Sequence, residues 1–242
     1  MSGQSAEVSV VVPVLNEQDN IKPLYNQLTQ ALKNKYEYEL VFIDDGSTDA
    51  SFRILTELHK ADDKVKVIRF RKNFGQTAAL SAGFVNSQGQ IVIAIDADLQ
   101  NDPADVPALV ARLAATGATA IVGYRVDRRD SGWKRLQARI ANAVRNRLNG
   151  ETIRDTGCSL KAFRADALRA LPLYNGMHRF FPTLIKLYGG TVGEVPVRHR
   201  PRRFGRTKYG MWNRVFRSLA DALAVRWMQR RVLRYDVREE LP

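Results

Sequence analysis

The sequence predicts a doubly wound α/β fold with a mostly parallel sheet and a basic amphipathic helix at its C-terminal end, and three observations carry that expectation. Short apolar runs alternate with stretches of helical periodicity at the spacing of strand–helix–strand units. The runs are continuous rather than alternating with polar residues, the pattern of strands covered on both faces. Beyond the carboxyl ends of three of them lie acidic or polar clusters, where open parallel sheets hold their ligands.

Val8–Val14 is the first strand and ends at Pro13-Val14-Leu15-Asn16-Glu17; helical periodicity follows from Asp19 to Lys33. Tyr38–Ile43 is the second strand, stopped by Asp44-Asp45-Gly46-Ser47, and Thr48 or Asp49 caps a helix to His59. Val65–Phe70 is a strand, Thr77–Val85 a helix and Ile91–Ile95 the fourth strand. Asp102-Pro103 sets an N-cap residue before proline at the first helical position, opening a helix to Ala115. Ala120–Gly123 is the fifth strand. Past Arg125 the rhythm breaks into a basic segment to Asn149, a short strand at Leu160–Phe163, a helix at Phe181–Tyr188, a strand at Thr191–Val197 and a basic loop over Arg198–Tyr209. A last helix begins near Gly210. With no repeat or low-complexity linker, the expected division is one domain over 1–209 and an interface helix with its tail over 210–242.

The chain has 242 residues, 45% of them hydrophobic, enough for one large core. Its single cysteine, Cys158, excludes an internal disulfide framework and fits a reducing compartment. Met1–Glu7 has neither the basic nor the apolar region of a signal peptide, and no stretch offers the roughly 20 apolar residues of a membrane span. Charge is divided unevenly. Residues 1–124 carry 11 Lys and Arg against 15 Asp and Glu, whereas residues 125–242 carry 27 against 10. An acidic first half and a strongly basic second half predict an anionic partner met through the second half.

Asp96-Ala97-Asp98-Leu99-Gln100 is the sharpest of the strand-end clusters. Two carboxylates two positions apart, with an amide oxygen beside them, make a hard-oxygen site for Mg²⁺ or Mn²⁺ shared with a diphosphate. Neither a G-x-G-x-x-G nor a Walker A sequence is present, so the strand-end carboxylates and a metal must hold the nucleotide. Glu17 and Asp49 taken singly read as helix caps. Cys158 reads as packing and His59 as an inert helix-surface residue, while His178 and His199 flank basic loops, with acceptor contact the lesser reading for both. Gly75 and Gly83 read as turn and packing glycines.

The ordered set PVLNE (13–17), IDDGSTD (43–49), NFGQTAALSAGF (73–84) and DADLQNDP (96–103) resembles glycosyltransferase family 2. Residues 125–131, DTGCSLKAFR (155–164) and RRFGRTKY (202–209) resemble its polyprenyl-phosphate branch, which includes dolichol-phosphate mannosyltransferase and the bacterial undecaprenyl-phosphate transferases, especially the aminoarabinose type. The resemblance runs from Val8 to Tyr209. It implies a GT-A type fold, Mg²⁺ or Mn²⁺, and inverting transfer from a UDP- or GDP-linked sugar to polyprenyl phosphate. Pro13, Leu15, Glu17, Ile43 and Asp45 would line the nucleoside pocket, with leucine at 15 where the family usually has tyrosine. Asp96, Ala97 and Asp98 would face the donor, and Asp98 with Gln100 would hold the metal. Arg125, Arg202 and Lys208 would bracket the donor diphosphate and the acceptor phosphate, completing with Asp98 the expected catalytic set. Arg135 and Arg139 would reach the lipid phosphate.

Many bacterial relatives continue into transmembrane helices, so this chain is expected to act at the cytoplasmic face of the membrane, peripherally or through a membrane-protein partner. Trp212, Phe216, Leu219, Leu223 and Trp227 fall at helical spacing with Arg214, Arg217, Arg226, Arg230, Arg231 and Arg234 among and after them, as in a helix lying on anionic lipid. The alternatives are packing on the domain and a contact in a homo-oligomer. For the whole chain, the rivals are a family 2 enzyme acting on a saccharide hydroxyl and a basic nucleic-acid-binding protein. The latter leaves three strand-end clusters without purpose, so no nucleic-acid partner is expected.

Overall fold

The computed structural model describes residues 6–126, 146–201 and 211–233, with the side chains of 211–218 outside that description. Seven strands form one sheet: β1 (Val8–Val14), β2 (Tyr38–Asp44), β3 (Val65–Arg69), β4 (Ile91–Ala94), β5 (Ala120–Arg125), β6 (Lys161–Arg164) and β7 (Val192–Val197). Their order is β3-β2-β1-β4-β6-β5-β7. Every pairing is parallel except the two made by β6, which runs antiparallel to β4 and β5.

Alternation along the strands builds two cores, one per face. Val8, Val10, Val12, Leu40, Phe42 and Ile93 face the side covered by α1 (Gln18–Leu32), α2 (Ser51–Ala61) and α4 (Val106–Thr116). Val11, Val41, Ile43, Val92, Ala94 and Phe163 face the other side, covered by α3 (Gln76–Asn86), α5 (Ala165–Arg169), α6 (Phe181–Leu187) and α7 (Met211–Arg231). The central strands β1, β2 and β4 are buried on both faces, which is why they read as nearly continuous apolar runs. Helix α3 comes especially close: a Cβ on Gly83 would lie 2.3 Å from Val11 Cγ1 and 2.7 Å from Ile43 Cδ1. Gly75, at φ 94°, is its N-cap. Both glycines therefore have the turn and packing roles that their positions suggested.

Pro13 is tolerated in a central strand because pairing with β4 ends at Val11, whose carbonyl accepts the Ile95 N–H at 3.2 Å. The element boundaries agree with expectation to within a residue or two, apart from three features. Helix α2 begins at Ser51, with Ala50 at its N-cap, and Asp49 accepts the N–H groups of Ser51 (2.9 Å) and Gln18 (3.3 Å). Asp102 does cap a helix through Ala104 N–H at 3.0 Å, but the first turn is a 3₁₀ segment, Pro103–Asp105. Helix α5 and the 3₁₀ turn Met177–Phe180 had no periodic signal, being too short to show one.

Helix α7 is half core and half surface. Ala222 and Val225 are buried in the second core, with Met228 and Val232 packed against it. Arg226 donates to the Leu148 carbonyl and Gln229 to that of Asn149 (2.9 Å). On the opposite face Leu219, Leu223 and Trp227 are 43%, 52% and 63% exposed, a stripe at four-residue spacing. No described helix is long and apolar enough to cross a membrane.

Candidate active site

The order β2-β1-β4 puts the three strand-end clusters side by side, at the point where the chain runs from β1 to β2 and β3 on one side and then crosses from β3 to β4 on the other. Their loops are stitched together. Asn16, at φ 51°, accepts the Thr48 N–H on Oδ1 (2.7 Å), and its own N–H donates to Ser47 Oγ (2.9 Å). Ser47 N–H donates to Asp44 Oδ1 at 3.0 Å. Asp44 is fully buried and also faces Arg69 (3.4 Å), so its carboxylate serves the turn. Glu17 accepts the Asn20 amide at 2.6 Å, a contact local to the start of α1.

Asp45 reaches across to the loop before α3, accepting the N–H groups of Phe74 (2.7 Å) and Gly75 (3.0 Å). Burial pushes its carboxyl above the ordinary range while those two N–H groups pull the other way. Gly46 makes this approach possible: at φ 76° it lets the turn pass so close that a Cβ would sit 2.5 Å from the Lys72 carbonyl carbon. Pro13 and Leu15 are half-buried at the same edge. The side chains of Ile43 and Ala97, however, belong to the two cores, both nearly or fully buried. With both side chains buried, a donor contact at these two positions would be made through backbone.

After β4 the chain turns sharply. Leu99 adopts φ 60°, a conformation that costs a leucine about 1–2 kcal/mol and that tertiary packing must hold in place. The turn presents Asp96, which accepts the Gln76 amide at 2.7 Å, and Asp98, whose Oδ1 accepts the Gln100 N–H at 3.1 Å. The Gln100 carbonyl in turn accepts the Arg200 N–H (2.8 Å), and Asn101 forms an antiparallel bridge to His199. Arg200 and Arg198 both reach the buried Asp102 (2.5 and 3.4 Å), and Arg198 also pairs with Asp105 (2.9 Å). The chain leaving β7 is thereby tied to the acidic turn.

The carboxylates of Asp96 and Asp98 and the amide of Gln100 are hard-oxygen donors on one short turn, a set that fits Mg²⁺ or Mn²⁺ completed by phosphate oxygens. Among the described residues no group of three His, Cys, Asp or Glu gathers as a protein-only metal cage.

On the far side of β4, Arg125 pairs with Asp155 in a two-pronged contact, Nε to Oδ2 at 2.6 Å and Nη2 to Oδ1 at 2.9 Å. Arg125 therefore enters the site as half of an ion pair rather than as a bare cation. Cys158 is buried and contacts Asn101 Oδ1 at 3.5 Å, and burial pushes its thiol up, in line with packing. His59 Nδ1 meets the Val65 carbonyl at 2.7 Å, a structural contact. His178 Nδ1 meets Thr77 Oγ1 at 2.8 Å, and Thr77 also accepts the Gly176 N–H (3.1 Å). Burial, aided by Arg179 and Lys161, lowers the His178 imidazole to about 3, so it is neutral at physiological pH. Arg135, Arg139, Arg202 and Lys208 lie outside the described residues.

Two residues of this edge escaped sequence reasoning: Gln76, which orients Asp96, and Lys161, whose ammonium is buried and donates to the Cys158 carbonyl. Burial pulls the Lys161 pKa below its ordinary value, while Cys158, Asp96 and Asp155 oppose that shift. The available signal was a charged residue inside an otherwise apolar strand.

A family model described as glycosyl transferase family 2 matches residues 9–171. The dodecaprenyl-phosphate galacturonate synthase of Rhizobium johnstonii is 35% identical over 232 residues, 94% of this chain and 68% of that protein. The undecaprenyl-phosphate 4-deoxy-4-formamido-L-arabinose transferase of Edwardsiella ictaluri is 37% identical over 206 residues, 84% of this chain and 63% of that one. The chain thus spans about two thirds of the length of these relatives. Among solved structures, glucosyl-3-phosphoglycerate synthase from Mycobacterium tuberculosis with UDP superposes with a TM-score of 0.71 at 23% identity, covering 92% of this chain and 80% of that one. The same enzyme holding Mn²⁺, UDP and glucosyl-3-phosphoglycerate gives 0.68 at 20% identity, covering 93% and 80%. At such identities the likeness establishes the GT-A type fold.

Proposed function

The chain belongs to glycosyl transferase family 2, and from that premise we propose that it transfers a sugar from a nucleoside-diphosphate donor to a polyprenyl phosphate, with undecaprenyl phosphate the first acceptor to try. The observation that carries the acceptor is the Arg125–Asp155 pair. A sugar hydroxyl has a high pKa, and an enzyme that activates one generally supplies a carboxylate base. Asp155 is the acid next to the acceptor-side motif, yet the Arg125 guanidinium engages both its oxygens. A phosphate monoester needs no such base, because its second pKa of roughly 6 leaves it largely dianionic at neutral pH. Both quoted relatives are named for polyprenyl-phosphate chemistry, which supports the reading.

The protein's work is then to place the reactants in line and to stabilise charge on the departing nucleoside diphosphate. The β1, β2 and β4 edge offers Glu17, Asp45 and Asp96 to the donor. Asp98 and Gln100 would hold Mg²⁺ or Mn²⁺, which supplies positive charge at the diphosphate when bound. Arg202 and Lys208, two and eight positions beyond Arg200 in the sequence, would complete the cationic side. Attack opposite the leaving group inverts the anomeric carbon. The exposed Leu219-Leu223-Trp227 stripe and the basic second half of the chain would set the protein on anionic lipid at the cytoplasmic face, where such an acceptor resides.

Incubation of labelled nucleotide-sugars and Mn²⁺ with undecaprenyl phosphate should move label into organic-extractable lipid, from which mild acid releases it. The unphosphorylated alcohol should accept none. Label found only in water-soluble oligosaccharide would overturn the acceptor while leaving the family untouched.

A further inference from the structure

Lys161 occupies an unusual place for a charged residue. It opens β6, the antiparallel strand inserted between β4 and β5, and its register partners are Ala94 and Val122. Ala94 precedes Asp96 by two residues, and Val122 precedes Arg125 by three. Lys161 therefore sits where the donor-side and acceptor-side strands end together. Alternation puts it on the face of Phe163, the same face from which Gln76 in α3 reaches Asp96. It is only 4% exposed, it donates to the Cys158 carbonyl, and Asp96 and Asp155 both act on it electrostatically. A buried ammonium costs several kcal/mol unless opposite charge compensates it, and a core needs no charge at this position: a methionine of similar length would pack there at less cost. Cys158, Asp96 and Asp155 oppose that cost without cancelling it, since burial still lowers the ammonium's pKa.

We propose that Lys161 is a positioning residue for sugar transfer, its buried charge holding the Asp96 carboxylate of the donor side and the Asp155–Arg125 pair of the acceptor side in fixed relation to one another. The inference rests on the transferase reading above. Without the ammonium, the Asp96 carboxylate and the Arg125–Asp155 pair lose the positive charge buried where their strands end, so the reactants would bind but meet poorly. The effect belongs in kcat more than in KM.

The test compares Lys161→Met, Lys161→Gln and Lys161→Arg in the full chain, with the donor and polyprenyl phosphate that serve the wild type. Lys161→Met should lower kcat by about 30-fold or more while the donor KM changes by less than about threefold, and Lys161→Arg should recover about a third of the loss or more. A folded Lys161→Met with kcat within about threefold of the wild type overturns the proposal, and Lys161→Gln takes its place if the methionine variant does not fold. If the wild type transfers no sugar at all, the functional reading has failed on its own. Positioning is then read from a double-mutant cycle of Lys161→Met and Asp96→Asn in urea unfolding, where additive effects overturn it and a coupled pair sustains it.

Discussion

Asp98 is buried on the turn where Leu99 adopts a left-handed conformation, and its carboxylate accepts the Gln100 N–H. On the proposed reading that Asp98 holds the metal, Asp98→Asn should leave the melting temperature within a few degrees and reduce transfer below about a tenth of the wild-type rate. His178 supplies a second measurement. Its imidazole titrates near 3 in the folded chain against 6.5 in the unfolded one, so below pH 6.5 the unfolded chain binds more protons. The stability due to neutral His178 is therefore full above pH 6.5 and is lost as pH falls toward 3. Urea unfolding between pH 6.5 and 4.5 should show stability falling by up to about 1.4 kcal/mol per pH unit from this residue, a slope that His178→Gln removes.

Among the elements, α3 and α7 carry the sharpest consequences. Gly83 lets α3 lie on β1 and β2 so closely that a methyl group would overlap Val11 and Ile43. Gly83→Ala should cost about 1–3 kcal/mol through overpacking, read as a lowered urea midpoint, and should disturb the Gln76–Asp96 contact at the start of the same helix. Packing on the domain, one of the alternatives for α7, holds for one of its faces, while the other face is exposed. Deleting the helix would strip Ala222 and Val225 from the second core, so membrane binding is better tested at the surface. Leu219→Ser, Leu223→Ser and Trp227→Ser together should leave the fold stable and release the protein from anionic vesicles. Sedimentation with vesicles that the triple change leaves unaltered would argue for a protein partner on this face.

Across the chain as a whole, charge and topology act together. The basic second half predicts that binding to anionic vesicles weakens steeply between low and about 0.15 M salt, as the Debye length shortens to about 8 Å. Much was legible in the linear order of residues. Strand and helix periodicity, the strand-end acids and the turn glycines are local features, and local sterics and burial write them directly into the spacing of residues. The motif order was equally local, which is why the family could be read before the fold. Tertiary structure alone decided the rest. The reversed direction of β6 depends on which strands flank it, and a four-residue strand such as Lys161–Arg164 carries no signal of its direction. That reversal brings Lys161 to the ligand edge. The Arg125–Asp155 contact joins residues 30 apart in sequence, and only the folded chain shows that Arg125 arrives already paired. Nor could periodicity say which apolar face of α7 meets the core. Pairing partners, strand direction and the neutralisation of one charge by another are set by distances through space, and a list of residues carries no such distances.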